Sequence, residues 1–347
     1  VYARNGNTLY KSTNSGASFP SSNSLSAGTG LFAFSPTNQN TLIGGYIGVD
    51  FATERSDNDG ASFYLTSQWL GNGGLPSIHV DQRNVFTIPL QYDYVYYCND
   101  GGVYRYSISN NSFENLSDGL QITQFYDIAV SQTNESVIGG GSQDNGNVFR
   151  DANGVWDDYA PTGDGMNQDI DPTNENIRYW SYQNGSLHRW ENGSNFYIAP
   201  LGKSGEWETP FRLDPNNANR IVAGYDKVYS STNKGNSWTD ISGTTNFGGD
   251  LNEIAIAKSN SNRIYVSRSN QLFVKSTSGN SWTQKSMPGV AVDLEVDPLD
   301  MNTVYIVVSG YSNGSKVYKS TDAGSNWINV SGSLPNVSAD AIELYEE

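Results

Sequence analysis

Three loops carry the side chains most able to do chemistry: Asn99-Asp100-Gly101-Gly102, Gln143-Asp144-Asn145-Gly146 and Gln183-Asn184-Gly185. A fourth stretch, Gly163-Asp164-Gly165-Met166, falls between the second and third. Trp69 and Trp207 occur in neighbouring loops, the latter between Glu206 and Glu208. Carboxylates, amides and aromatics gathered on one surface suit a sugar, because aromatic faces stack on sugar rings and amides bond hydroxyls. The candidate ligand-binding residues are therefore Asp100, Gln143, Asp144, Asn145, Asp164, Gln183, Trp69 and Trp207. Asp-Gly and Asn-Gly are also the usual pairs of tight turns, so each loop taken alone reads as a plain turn too. No Ser/His/Asp triad, phosphate loop or Cys/His metal spacing accompanies them, and no catalytic residue is assigned.

What positions these loops is a repeat. The pattern Ser-x-Asp/Asn-x-Gly, two mostly small residues, then Trp or Phe runs from Ser12 to Phe19, Ser56 to Phe63, Ser231 to Trp238 and Ser320 to Trp327. A copy one residue short runs from Ser276 to Trp282, and worn copies end at Phe113, Trp156 and Phe196. The closing aromatics follow one another at intervals of 40 to 50 residues, the mark of one supersecondary unit repeated. Within each copy Asp or Asn accepts backbone N–H bonds, Gly takes the left-handed position and the aromatic is expected to bury itself under the turn.

Ahead of most copies lies an alternating strand that ends in a polar turn, such as Leu31-Phe32-Ala33-Phe34 before Ser35-Pro36, or Leu294-Glu295-Val296 before Asp297-Pro298. A second strand follows the turn, a third runs into the motif and a fourth leaves it. The expected fold class is therefore all-β: a single β-propeller of four-stranded antiparallel blades, eight most consistent with the spacing, with the motif hairpins on one rim. Residues 1–347 are expected to form one domain, with Ala341 to Tyr345 supplying the first strand of the first blade by pairing with Val1 to Arg4. The candidate loops then share the opposite rim.

Aligning the first strands places Asp127, Asp169, Glu253, Asp293 and Glu295 toward a central channel, with Ser77 and His79 at matching positions in the third blade. The alignment treats Asp81 as that blade's turn residue. An acidic mouth of this kind is either a water-filled pore or, with its oxygen ligands, a possible Ca²⁺ site.

Composition narrows the partners. Twenty basic against 36 acidic residues leave a net charge of −16, which disfavours nucleic acid and leaves a neutral glycan, a divalent cation or a surface protein. No run of about 18 apolar residues exists to span a membrane. The single cysteine, Cys98, allows no internal disulfide. Abundant Asn, Ser, Gly and Tyr with few Lys match an extracellular surface.

The eight-residue pattern resembles the Asp-box, or BNR repeat, of sialidases, sortilin-type receptors and xyloglucanase-type glycosidases, in which it sits on blade hairpins far from the active site. The third to eighth blades look like a family of large secreted Bacteroidetes proteins described as sortilin-like or BNR-repeat glycosyl hydrolases, often exported by the type IX pathway. That resemblance rests on His79-Val80-Asp81-Gln82, Asn99 to Tyr104, Ile122 to Tyr126, Gln143 to Gly146 and Gly163 to Met166. Arg83 stands where the family commonly has a second His. The resemblance implies a monomeric module of a larger secreted or cell-surface protein, one that binds glycan or a protein partner in adhesion. It leaves open a glycoside hydrolase with two rim carboxylates and a spacer module. A sialidase site needs three arginines around a carboxylate, and the candidate loops hold none.

Overall fold

A computed structural model describes residues 1–25, 29–38, 40–46, 51–160 and 163–344. They form eight antiparallel sheets, seven of four strands and one of three, and the helical content is two single 3₁₀ turns at Asn72–Gly74 and Gln183–Gly185. This is the β-propeller blade architecture that the repeat predicts. The chain packs as two compact units, Val1–Ile122 with the first three sheets and Thr123–Glu347 with the other five.

Every sheet is a meander whose strands are hydrogen-bonded in chain order. In the sixth, Phe211–Asp214, Asn217–Gly224, Val228–Ser231 and Thr239–Asp240 follow one another in this way. Period-2 alternation explains how such a sheet is buried twice over. Ile221 and Ala223 pack with Tyr179 and Leu187 of the fifth sheet, whereas the intervening Val222 packs with Ile254 and Val266 of the seventh. Successive residues of one strand thus fill two different cores. In the first unit Ile43 packs with Val85, Val95 and Tyr97 between the second and third sheets, and Leu9 with Leu42 between the first and second.

The eight-residue pattern closes on itself by hydrogen bonds that account for each fixed position. The Ser320 hydroxyl donates to Asp322 Oδ1 at 2.8 Å and accepts Gly324 N at 2.8 Å, while Asp322 Oδ1 also accepts Asn326 N at 2.8 Å. The same three bonds recur at Ser12, Ser56 and Ser231. Gly324 has φ of 81°, a conformation other residues adopt only under strain. The closing aromatics are less buried than expected, with Phe19, Trp156 and Phe196 at 38%, 50% and 42% exposure. Three half-buried tryptophans of the motif reach sideways. Trp238 Nε1 donates to Ile198 O at 2.7 Å, Trp282 Nε1 to Ile241 O at 2.9 Å and Trp327 Nε1 to Ser286 O at 3.1 Å. Each acceptor lies at the end of the last strand of the preceding sheet or one residue past it, so the motif fastens one blade to its neighbour.

One expectation is corrected. The inner strand of the third sheet is Gln82–Phe86, not the stretch around Ser77 and His79. Gln82 is fully buried and its amide donates to His79 O at 2.6 Å, which holds 79–81 outside the ladder. Asp81 has a φ of 55° there, and the turn that follows the inner strand lies at Ile88 to Gln91. At the other end, residues 341–344 form no strand and Tyr345 lies outside the described residues. Ile342 N donates to Asp293 Oδ2 at 2.7 Å. The first sheet has three strands, and Tyr2–Asn5 at its edge pairs with Thr8–Lys11.

The staple geometry makes a prediction. Trp282→Ala should lower the stability of the second unit by about 3 kcal/mol, the low end for emptying an aromatic site. Trp282→Phe should recover most of the packing and lose about 1 kcal/mol for the indole hydrogen bond. Urea unfolding midpoints measure both, and a Trp282→Ala midpoint matching the parent chain refutes the staple.

Candidate functional site

The second unit brings five inner strands together in sequence: Phe125–Val130, Gly165–Ile170, Phe211–Asp214, Glu253–Ile256 and Ala291–Val296, each touching the next. The fourth and fifth sheets come closest, because a Cβ on Gly141 would overlap Met166 O and one on Gly165 would overlap Gly146 O. The glycines of Ile138–Ser142 therefore set how near the inner strands approach.

Along these strands runs a polar cavity of about 400 Å³. Its walls include the acids Asp127, Glu208, Glu253 and Asp293, the amides Gln124, Asn167 and Asn252, and the rings of Phe125 and Tyr126. Arg212 is the one base among its lining residues. A second cavity of about 370 Å³, bordered by Glu295 and the polar turns, shares Arg212 as a wall. Burial alone would lower the Arg212 pKa, but the charges of Asp127, Glu295, Glu253 and Asp169 outweigh it and keep the guanidinium charged.

The acids respond to the same enclosure. Desolvation pushes the Asp169 carboxyl up to about 6 even though it accepts Leu213 N at 3.0 Å and Ile170 N at 2.9 Å. Glu295 is pushed up to about 7 by desolvation first, with Asp293 and Glu343 adding to the shift and Arg212 opposing it. Asp127 and Glu253 are also raised by desolvation and restrained by Arg212. The acidic mouth expected from the sequence is thus a set of carboxyls around a fixed cation. Among the described residues no three acids or histidines lie close enough to hold a metal, so the Ca²⁺ expectation finds no ligand set there. Arg212 occupies the electrostatic role a cation would have had.

Beside the cavity stands the rim. Asp164 is buried, and its carboxylate accepts Asp144 N at 2.9 Å on Oδ1 and Gln183 Nε2 at 2.6 Å on Oδ2. One side chain thereby ties together three of the loops picked from the sequence. Asp144 has φ of 60° and Asn145 Nδ2 donates to Gln143 O at 2.9 Å, so this loop is a true tight turn as well as a rim element. Asn184 N donates to Trp207 O at 3.2 Å, which brings the tryptophan loop against the same rim. Trp207 is 49% exposed and directly precedes Glu208, a lining residue of the cavity. Burial raises the Tyr126 pKa, and Asp164, Glu208 and Asp144 add their charges to that shift. Gln143, Asp144, Asn145, Asp164, Gln183 and Trp207 therefore gather next to the cavity that Tyr126 and Glu208 line.

Asp100 and Trp69 belong to the first unit. Asp100 forms a fork with Arg83, whose Nε donates at 2.6 Å, and this ion pair takes up its carboxylate. Trp69 packs 6.4 Å from the His79 ring, and His79 lies against Gly101 of the Asp100 loop. The stretch His79 to Gln82 thus borders the Asn99 to Gly102 loop within that unit.

Sequence reasoning missed Tyr126 and Arg212 as cavity residues and noted Glu208 as the neighbour of Trp207. Arg212 did carry a signal, being the one base at an inner-strand position otherwise held by Ala, His, Asp or Glu.

No family model matches the sequence, and no curated protein matches it. Solved structures do. An ancestral GH74 enzyme aligns with a TM-score of 0.51 at 19% identity over 61% of this chain and 32% of its own, so the chain spans about a third of that enzyme's length. The Niastella koreensis GH74 enzyme aligns over 93% of this chain and 61% of its own at 15% identity and a TM-score of 0.33. The computationally designed Ika8 protein aligns over 92% and 91% at 12% identity and a TM-score of 0.47. The first of these likenesses supports the propeller fold. Among the described residues, no helix is long and apolar enough to cross a membrane.

The raised carboxyls fix the sign of a pH effect. A group whose folded pKa lies above its unfolded value stabilises the fold below the unfolded pKa, and that contribution is lost as pH rises through the folded value. For Asp169 and Glu295 the loss runs from about pH 4 to 7. Turn acids such as Asp322, held at about 2 by hydrogen bonds from Asn326, act in the opposite sense at lower pH. Thermal unfolding should therefore be most resistant near pH 4 to 5 and weaken toward pH 8. Combining Asp169→Asn with Glu295→Gln should flatten that decline, and an unchanged slope in the double variant contradicts the assignment.

Proposed function

We propose that the chain is an extracellular or cell-surface propeller module, part of a larger secreted protein, that binds glycan at the cavity beside the Asp164 rim. The observation that carries this reading is the junction of the two features. Asp164 fixes the Asp144 and Gln183 loops and Asn184 N holds the Trp207 loop, while Glu208, next in the chain to Trp207, lines with Tyr126 a cavity rich in amides and carboxylates. Amides and acids bond sugar hydroxyls, and a half-exposed indole supplies a stacking face. The hydrogen bonds at Ser12, Ser56, Ser231 and Ser320 support the Asp-box reading of the motif and, with it, the BNR-type lineage.

A glycan array on the whole chain tests the proposal. For an oligosaccharide that binds, Trp207→Ala should weaken affinity by about tenfold. Asp164→Ala should weaken it as much by releasing two loops at once, with the unfolding free energy lowered by about 1–3 kcal/mol for the lost charged hydrogen bonds. Binding unaffected by either change removes this site.

One observation favours a glycoside hydrolase as the second reading. The Glu208 carboxyl is raised by desolvation and then by the Asp127 charge, against the pull of Arg212, which is the condition of a general acid beside a second carboxylate. Product analysis on any array hit separates the two. A hydrolase should release sugar and lose turnover in Glu208→Gln while still binding, and a binding module should release none.

A further inference from the structure

The inner strands of the second unit are joined by a repeated device. In Phe125–Val130 a register shift lies between Phe125 and Asp127, and Asp127 then accepts Ile128 N on Oδ1 at 2.9 Å and Gln168 N of the next inner strand on Oδ2 at 2.8 Å. Asp169 repeats the arrangement, accepting Ile170 N at 2.9 Å and Leu213 N of the following inner strand at 3.0 Å. One carboxylate oxygen holds the residue's own strand and the other clasps the neighbour's main chain.

The eighth sheet carries the same device. A register shift lies between Ala291 and Asp293, and Asp293 Oδ1 accepts Leu294 N at 2.8 Å. Its second oxygen accepts Ile342 N at 2.7 Å. Asp340 and Ala341 border the larger cavity, while Glu343 and Leu344 border the smaller. The segment therefore passes along Arg212 from one cavity to the other, as an inner strand of a following sheet would.

We infer that Asp293 is a docking seat for an extended peptide main chain, and that residues 340–344 occupy it in place of a further inner strand. The chemistry is that of main-chain capture: a carboxylate takes the N–H, so the seat reads backbone rather than side chain. The occupant is held loosely enough to exchange. Asp340, Ala341 and Glu343 are exposed, and Glu343 brings like charge to Glu295. This inference does not depend on the glycan reading, and its test uses no sugar.

Hydrogen exchange on the full chain, followed by mass spectrometry of the segment from Asn336 to Glu347, gives the first readout. Asp293→Ala should speed exchange at residues 341–344 by about tenfold, the worth of one hydrogen bond to a charged group. Glu343→Lys, which places a cation beside Glu295, should slow it. A synthetic peptide with the sequence of residues 336–347 gives the second readout. It should bind the full chain carrying Ile342→Pro, in which the resident segment has lost its donor, and should bind the parent chain about tenfold more weakly because the seat is filled. Exchange indifferent to both Asp293→Ala and Glu343→Lys overturns the inference. So does a peptide that ignores the Ile342→Pro chain while that chain keeps the parent's circular dichroism spectrum. Should Ile342→Pro fail to fold, the Glu343→Lys comparison decides alone.

Discussion

Burial of a sheet between two neighbours, as in the sixth, is the constraint from which the other features follow. A four-stranded meander alone leaves two faces in water, and at roughly 25 cal/mol per Å² neither can stay exposed at no cost. The sixth sheet solves this by sending Ile221 and Ala223 one way and Val222 the other. Because the faces are apolar and non-directional, they draw the sheets together without fixing how far one slides on the next. The directional bonds do that: tryptophan N–H groups on one rim and inner-strand carboxylates along the axis.

The same packing creates the site. Five inner strands converge with their polar residues turned away from the two cores, which leaves acids and amides facing one another across cavities. Such an arrangement would repel itself if every carboxyl were ionised. Arg212 supplies one positive charge and desolvation keeps several carboxyls protonated to a higher pH than usual. The outcome is a polar cavity with a tuned charge rather than a closed ion-pair network. A ligand entering it meets groups able to donate as well as accept.

The rim illustrates how one side chain can serve structure and function together. Asp164 satisfies its buried carboxylate by holding Asp144 N and the Gln183 amide, so the loops beside the cavity are set before any ligand arrives. Preorganisation of this kind lowers the ordering cost of binding. Asp100 shows the contrast, since Arg83 neutralises it within the first unit.

The sequence by itself determined the all-β class, the order of strands in each sheet and the motif turns. Those depend on local facts: alternation with period 2, a Ser, Asx and Gly at fixed offsets, and a positive φ that Gly324 accepts without strain. It also marked Asp100, Asp144 and Asp164 as rim residues; of these Asp144 and Asp164 meet, with Gln183, in the second unit, while Asp100 pairs with Arg83 in the first. Only the tertiary structure decided the rest. Gln82 pulled the third inner strand a few residues along the chain by burying its amide, something hydrophobic alternation does not encode. Arg212 became the hub of the acids, and Ile342 N met the Asp293 carboxylate, because both outcomes depend on distances between residues dozens of positions apart. Local pattern fixes which atoms can bond within a repeat; which repeat's carboxylate meets which backbone is set by how the packed sheets come to rest.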